Sequence, residues 1–562
     1  MRRALSWMTV SLLLLGAAGC ASSDAEGAND TSSGGAGAPD AGGGSGGAPP
    51  PGAPVCTTAA DCPAGYTCTQ SACIPPENEQ SASNERPPLA SKSYVYVLSP
   101  AAHSLTRIDP RTLSLEAIPV GATPLDVAVV PGEDAAVTLS SVDASLSLVD
   151  STTLPSQVRR VPLGRRYGRL SVSGDGAYAL AWPDPSAAPG SGAEGVVALV
   201  DLRAARRGES PEQTVLERAA GFRVTDVVFR LEGGVATRAY VFAKSTVTVL
   251  DLSNPRQQPL PVRVSLPEAM ALDVASREVV ATADGQRVLL RSTTAPMLAS
   301  FDGTAFHTVP LPEVATDVDL LPDGSGAVAA LRSAGQLAFL ELPGDFEDPS
   351  GIQLLPVPGT SVGQVVLPPR SGGTSYALVY TTVLNDESVT RVDFPSGTVT
   401  RYPLEKRVER VALAADGRTA ILVHKPEPGS TASDPYERAV DVDRGYSVLD
   451  VPSGYLQLRR TGKLEPSQVA FSSSGGYVGV TLRSDTERRH AVDAVDLSTL
   501  VSRSVSLASP PAFAGGFAGD SEQTRHRIYV SQLHPAGRIS FVNLDDSQIR
   551  TVTGFTLNSR IE

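Results

Sequence analysis

The sequence predicts an all-β fold, a β-propeller of four-stranded blades numbering seven to ten, and three observations predict it. From Lys92 onward, short β-branched runs alternate with turns rich in Gly, Asp and Pro, and helical periodicity is almost absent. An apolar run closed by an acidic residue or a near-equivalent recurs at Asp109, Asp150, Asp201, Asp251, Asp302, Glu341, Asp393, Asp450, Asp496 and Asn543. The spacing of roughly 40 to 57 residues suits one blade of four strands. Between endings one grammar returns: a first strand such as Val408 to Leu413, a turn such as GDG, PDG or ADG, a second strand such as Thr419 to Val423, a third strand ending in the acid, and a fourth such as Ser114 to Val120.

The first residues read as targeting rather than fold. Arg2 and Arg3 precede the apolar stretch within Ala4 to Gly16, and Ala17-Ala18-Gly19 supplies small residues before Cys20. That stretch is too short to span a bilayer. The run LGAAGC resembles the lipobox of bacterial lipoproteins, which implies a signal peptide over 1–19 and a diacylglyceryl thioether on Cys20. In that family Ala21 at the next position favours the outer membrane. Cysteine arithmetic agrees, because removing Cys20 from five cysteines leaves four that can pair. Residues 20–55 are Gly, Ala, Ser, Pro and Asp with hardly a large apolar side chain, the composition of a disordered tether.

Residues 56–76 form a small cysteine-rich module, CTTAADCPAGYTCTQSAC, holding Cys56, Cys62, Cys68 and Cys73. Export favours disulfides over zinc, and a module this small needs such staples. Its DCPxGxxC core resembles cysteine-rich modules beside tethers in bacterial surface proteins. Of three possible connectivities the interlocked one is expected, Cys56 with Cys68 and Cys62 with Cys73.

Residues 92–562 are the repeat domain. The segments SYVYVLSP, SLTRID and AIPVG resemble the YVTN type of propeller repeat, related in architecture to WD40 repeats whose Trp-Asp signature is missing here. The closing Asp is expected to cap the following turn, and turn glycines are expected to serve two-residue hairpins. The first unit starts at its second strand, Tyr94 to Leu98, so the tail Phe555 to Ile561 is expected to complete blade one. Insertions at Pro183 to Gly195, Lys425 to Gly445, Arg483 to Arg489, around Pro356 to Val362 and from Ser506 to Thr524 are expected on one face, opposite the incoming tether, marking the binding face.

Catalytic and metal signals are thin. A formal net charge of −13 argues against a nucleic-acid partner. Gly359 to Gly363 fits G-x-S-x-G around Ser361, but lacks the strand-to-helix context. The histidines His103, His307, His424, His490, His526 and His534 show no metal-ligand spacing, and no metal or cofactor is expected. Asp317, Asp319 and Asp323 read as a solvated strand face and turn. Arg165, Arg166, Tyr167 and Arg169, in GRRYGR, are the candidate binding residues for an anionic glycan or acidic peptide. The leading expectation is therefore a membrane-anchored, non-enzymatic binding or scaffold lipoprotein of the cell envelope, with a protein, peptide or glycan partner. The alternatives are a lactonase-like propeller hydrolase, implied by the YVTN resemblance, and an envelope-assembly scaffold. Three or more buried titratable groups gathered at the channel mouth favour the enzyme; a rim lined by exposed aromatic and Arg residues favours recognition.

Overall fold

Alternating apolar residues, broken every five to seven positions by turn chemistry, fold each repeat into an antiparallel meander. The computed structural model describes residues 86–555 apart from 187–193, 258–259, 370–374, 518–521 and 523, and also 55–58, 61–62, 66–69 and 71–74. It contains ten four-stranded sheets, each ordered first, second, third, fourth strand, arranged as a ten-bladed propeller. Blade 2 is representative, with strands Pro124–Val129, Ala135–Ser140, Ser145–Asp150 and Gln157–Pro162. The signal segment, Cys20 and nearly all of the tether lie outside the described residues.

All ten residues picked from the sequence stand at the ends of third strands, where the Asp side chains cap turns. Asp150 Oδ1 accepts from the Thr152 amide at 3.0 Å, Asp251 Oδ1 from Ser253 at 2.9 Å and Asp496 Oδ1 from Ser498 at 2.8 Å. Asp201 caps the helix Leu202–Arg207 through the Ala204 amide, 2.9 Å away, and Gly208 closes that helix in the left-handed conformation.

The turns after first strands are longer than two residues. Asp175, Asp284, Asp323 and Asp416 each accept from the backbone amide two residues on, which requires extra positions. Among the described residues the two-residue hairpin is found in blade 4, where Gly233 and Gly234 both have positive φ between strands Val224–Glu232 and Val235–Ala243.

The core is a series of interfaces between neighbouring blades rather than one centre. Val137, Leu148 and Val161 of blade 2 pack on Leu170, Ala179 and Ala198 of blade 3, and corresponding clusters continue around the ring. Closure differs from the expectation. Blade 1 is complete from its own sequence, because Leu89–Ala90 pairs with Val95 and Tyr96 as the innermost strand. Blade 10 comprises Pro511–Gly516, Arg527–Gln532, Arg538–Asn543 and Ile549–Thr553. The seam is sealed by Tyr529 and Phe541 against Val95 and Ile108, and by bonds from Tyr529 Oη to Pro88 O (3.1 Å) and Arg550 Nη1 to Arg111 O (2.8 Å). Of the expected closing strand Phe555 to Ile561, all but Phe555 lies outside the described residues.

We call the face bearing the connections after second and fourth strands the near face, because the chain joins the ring there at Leu89, and the opposite one the far face. The insertions at Pro183 to Gly195, Lys425 to Gly445, Arg483 to Arg489 and around Pro356 to Val362 follow second or fourth strands, as expected, but further insertions lie on the opposite face, which corrects the one-face expectation. Leu202–Thr214, 252–261 and 342–352 follow third strands and lie on the far face. The segment Ser506 to Thr524 contains strand Pro511–Gly516, and 518–521 and 523 within it lie outside the described residues. The ends of Arg483 to Arg489 belong to strands Tyr477–Ser484 and Arg489–Asp496, leaving a hairpin turn of four residues, 485–488. The incoming chain also sits on the near face, not opposite it, because Leu89–Ala90 precedes Val95–Ser99, the second strand with which the sequence reading began the ring.

The cysteine module has the interlocked pairing, Cys56–Cys68 and Cys62–Cys73. Among the described residues the sole trio of metal-type ligands in reach of one another is Cys56, Cys62 and Cys73, whose sulfurs are in these disulfides. Ala72 and Ile74 pack onto Val383 and Leu384, in the near-face loop of blade 7. No helix among the described residues is long and apolar enough to cross a membrane.

Candidate functional site

First strands converge on the channel and carry a charged residue just before their β-branched run. The signal is present in LDVAV, TDVVF, REVVA, TDVDL and ERVAL, but sequence reasoning passed over it. Most of these groups stitch blades together. Asp126 Oδ2 accepts from the Leu170 amide of the next blade at 3.0 Å, and Asp317 Oδ2 from Val365 at 2.8 Å. Arg277 is 4% exposed and donates to the carbonyls of Ala243 (2.7 Å), Lys244 (2.9 Å) and Met270 (3.0 Å). Asp317 is buried and Asp319 half-buried, so the pair is not the solvated strand face expected from the sequence. Asp319 makes no hydrogen bond to a described residue, and burial, then the charges of Asp317 and Glu278, push its carboxyl well above the usual range.

The GRRYGR segment joins blades 2 and 3 but does not converge into one cluster. Tyr167 is a core residue, 2% exposed. Burial, then the charge of Glu217, raises its phenol above the ordinary range. Arg169, on the first strand of blade 3, pairs with Asp184 at 3.3 Å. Arg165 pairs with Glu217 at 3.0 Å, while Arg166 is exposed. Arg165 and Arg166 line a shallow cavity of about 810 Å³ with Pro162, Leu163, Pro211 and Glu212, on the outer wall between blades 2 and 3.

That cavity belongs to a wider asymmetry. The ten outermost strands hold nine arginines, Arg159, Arg160, Arg218, Arg263, Arg401, Arg459, Arg460, Arg503 and Arg550, against two carboxylates, Glu116 and Glu217. Four of the nine are ion-paired, Arg160 with Asp143, Arg401 with Asp386, Arg459 with Asp493 and Arg460 with Asp443, so the excess of guanidinium on the outer strands is partly balanced.

The remaining candidates are structural. Ser361 is buried, donates its amide to Asp386 Oδ2 at 2.5 Å and precedes strand Gln364–Val366, so no nucleophile elbow forms. His424 is 2% exposed between Ser447 Oγ (2.7 Å) and Arg407 O (3.2 Å), and burial pulls its pKa down to about 4. His103 accepts the Thr123 amide from the connection between blades 1 and 2, and His534 accepts the Ala536 amide within its own turn. The near-face insertion of blade 8 is ordered around helix Pro435–Val442, capped by Asp434 at its start. Buried Lys406 donates to Val440 O and Asp441 O at its end, at 2.6 and 2.7 Å.

No family model matches this chain, and no curated protein does. Solved structures do. The dihydro-heme d1 dehydrogenase NirN in complex with DHE is 13% identical over 76% of this chain and 76% of its own, with a TM-score of 0.39. A eukaryotic initiation factor is 10% identical over 83% of this chain and 97% of its own, at 0.48. Citrobacter koseri AztD is 11% identical over 64% of this chain and 91% of its own, at 0.33. At these scores the likenesses carry no argument about what this chain does.

Proposed function

We propose that the chain is a lipid-anchored extracytoplasmic binding module of the outer membrane whose propeller recognises a partner without chemistry. The observation that carries the reading is how charge is used: most channel groups are occupied in joining blades, whereas guanidinium groups stand exposed on the outer wall. The lipobox-like LGAAGC at Cys20 and the two disulfides support an exported, anchored protein. The chain joins the ring on the near face, and the cysteine module docks there. The near face therefore turns toward the membrane, leaving the outer wall and far face for partners.

Fractionation and capture test this reading. Cys20→Ser moves the protein from the membrane to the soluble fraction. The soluble chain retains an envelope component, and a bulky polymer coupled to Ser350→Cys on the far face blocks capture while the same polymer on Ser433→Cys on the near face does not. Persistence in the membrane fraction overturns the anchor, and the opposite blocking pattern overturns the orientation. The enzyme alternative rests on Asp319, a first-strand carboxyl without a hydrogen-bond partner among the described residues. Lactone or ester hydrolysis abolished by Asp319→Asn would replace the binding reading.

A further inference from the structure

We propose that the groove between the outer strands of blades 2 and 3 binds a polyanionic glycan, one carrying carboxylates on successive sugars. This rests on the binding-module reading and names its ligand class. Between Gln157 and Arg169 the chain has five arginines and no acidic residue, in a protein with 60 Asp and Glu against 47 Lys and Arg. Arg159 and Arg166 are both exposed, and neither forms a hydrogen bond or ion pair with a described residue.

Strand geometry puts both on the blade 3 side of the outer strand of blade 2. Arg159 shares its side of the strand with Val161, which packs toward blade 3, and Arg166 lines the cavity beyond the end of that strand. Glu217 opposite is neutralised by Arg165 at 3.0 Å, and Glu212 is the remaining carboxylate on the wall. Leu163, Pro162, Pro211 and Val215 provide an apolar floor. Apolar wall against sugar C–H faces and guanidinium forks against carboxylates are the complementary pair such a polymer needs. A site on the outer wall stays open whichever face meets the membrane.

The test uses the full chain carrying Cys20→Ser and titrates oligogalacturonate calorimetrically, with its methyl ester as the uncharged control. Binding is expected for the acid form alone and weakens as salt rises. Arg159→Gln with Arg166→Gln is expected to weaken it at least about tenfold. Arg503→Gln, removing an equally exposed arginine of blade 9, is expected to leave it unchanged. Absence of binding, equal binding of the ester, or no effect of the double substitution overturns the assignment. Polyglutamate bound as tightly and lost with the same substitutions overturns the glycan in favour of an acidic peptide. Capture of an envelope component by a chain that ignores the glycan leaves the binding-module reading standing and removes this one.

Discussion

Two buried side chains make the clearest residue-scale predictions. His424 is held neutral, with a pKa of about 4 against about 6.5 for the unfolded chain. Above pH 6.5 it is neutral in both states and contributes no pH dependence. As pH falls from 6.5 to 4 the unfolded state takes up the proton first, so stability is lost, on the order of 3 kcal/mol across that window. Urea unfolding at pH 7 and pH 5 is expected to show this loss, and His424→Asn to flatten it. Asp493, fully buried in blade 9, accepts from Tyr446 Oη at 3.0 Å and Arg459 Nε at 3.2 Å of blade 8. Asp493→Ala strands a buried phenol and is expected to cost about 3 kcal/mol, read from the urea midpoint. Neither role is legible in the sequence, where His424 and Asp493 look like any polar residue within an apolar run. The turn-capping Asp residues are legible, because the motif that reveals them is contiguous and the bond it makes spans two positions.

At the scale of elements, turns and edges do different work. Gly285 sits in the turn after the first strand of blade 5 at φ +62°, and a Cβ there would lie 2.2 Å from Phe229 O. Gly285→Val is expected to destabilise by about 2 kcal/mol, measured by thermal unfolding. The fourth strands expose an unpaired edge, and their arginines keep such edges from pairing with other molecules. The cysteine module is held by Ala72 and Ile74 on Val383 and Leu384, so Leu384→Asp is expected to free it, seen as faster proteolysis after residue 74 with the propeller intact. The sequence reading located the module and its pairing, since both are local. It could not find the dock, which joins positions some 310 residues apart, and placed the incoming chain on the wrong face because the two-residue strand Leu89–Ala90 went unnoticed.

For the whole molecule, each blade reaches its successor through a short connection except at one place. Blades 10 and 1 meet only through side chains and a few bonds such as Tyr529 to Pro88. That interface is expected to open first. Hydrogen exchange should be fastest in Arg527–Gln532 and Val95–Ser99 among second strands; earlier exchange in Gly326–Leu331, diametrically placed, would contradict this. The blade number was legible as ten endings, because repetition writes the same local chemistry many times. The absence of strand exchange carries a different consequence, for ancestry. A ring whose every member is made from one uninterrupted stretch of chain can gain or lose a member by copying or deleting a single stretch of gene, with no second cut elsewhere to match. Cyclic rearrangements beginning at any boundary between blades are equally permitted, and the present starting point is one choice among ten.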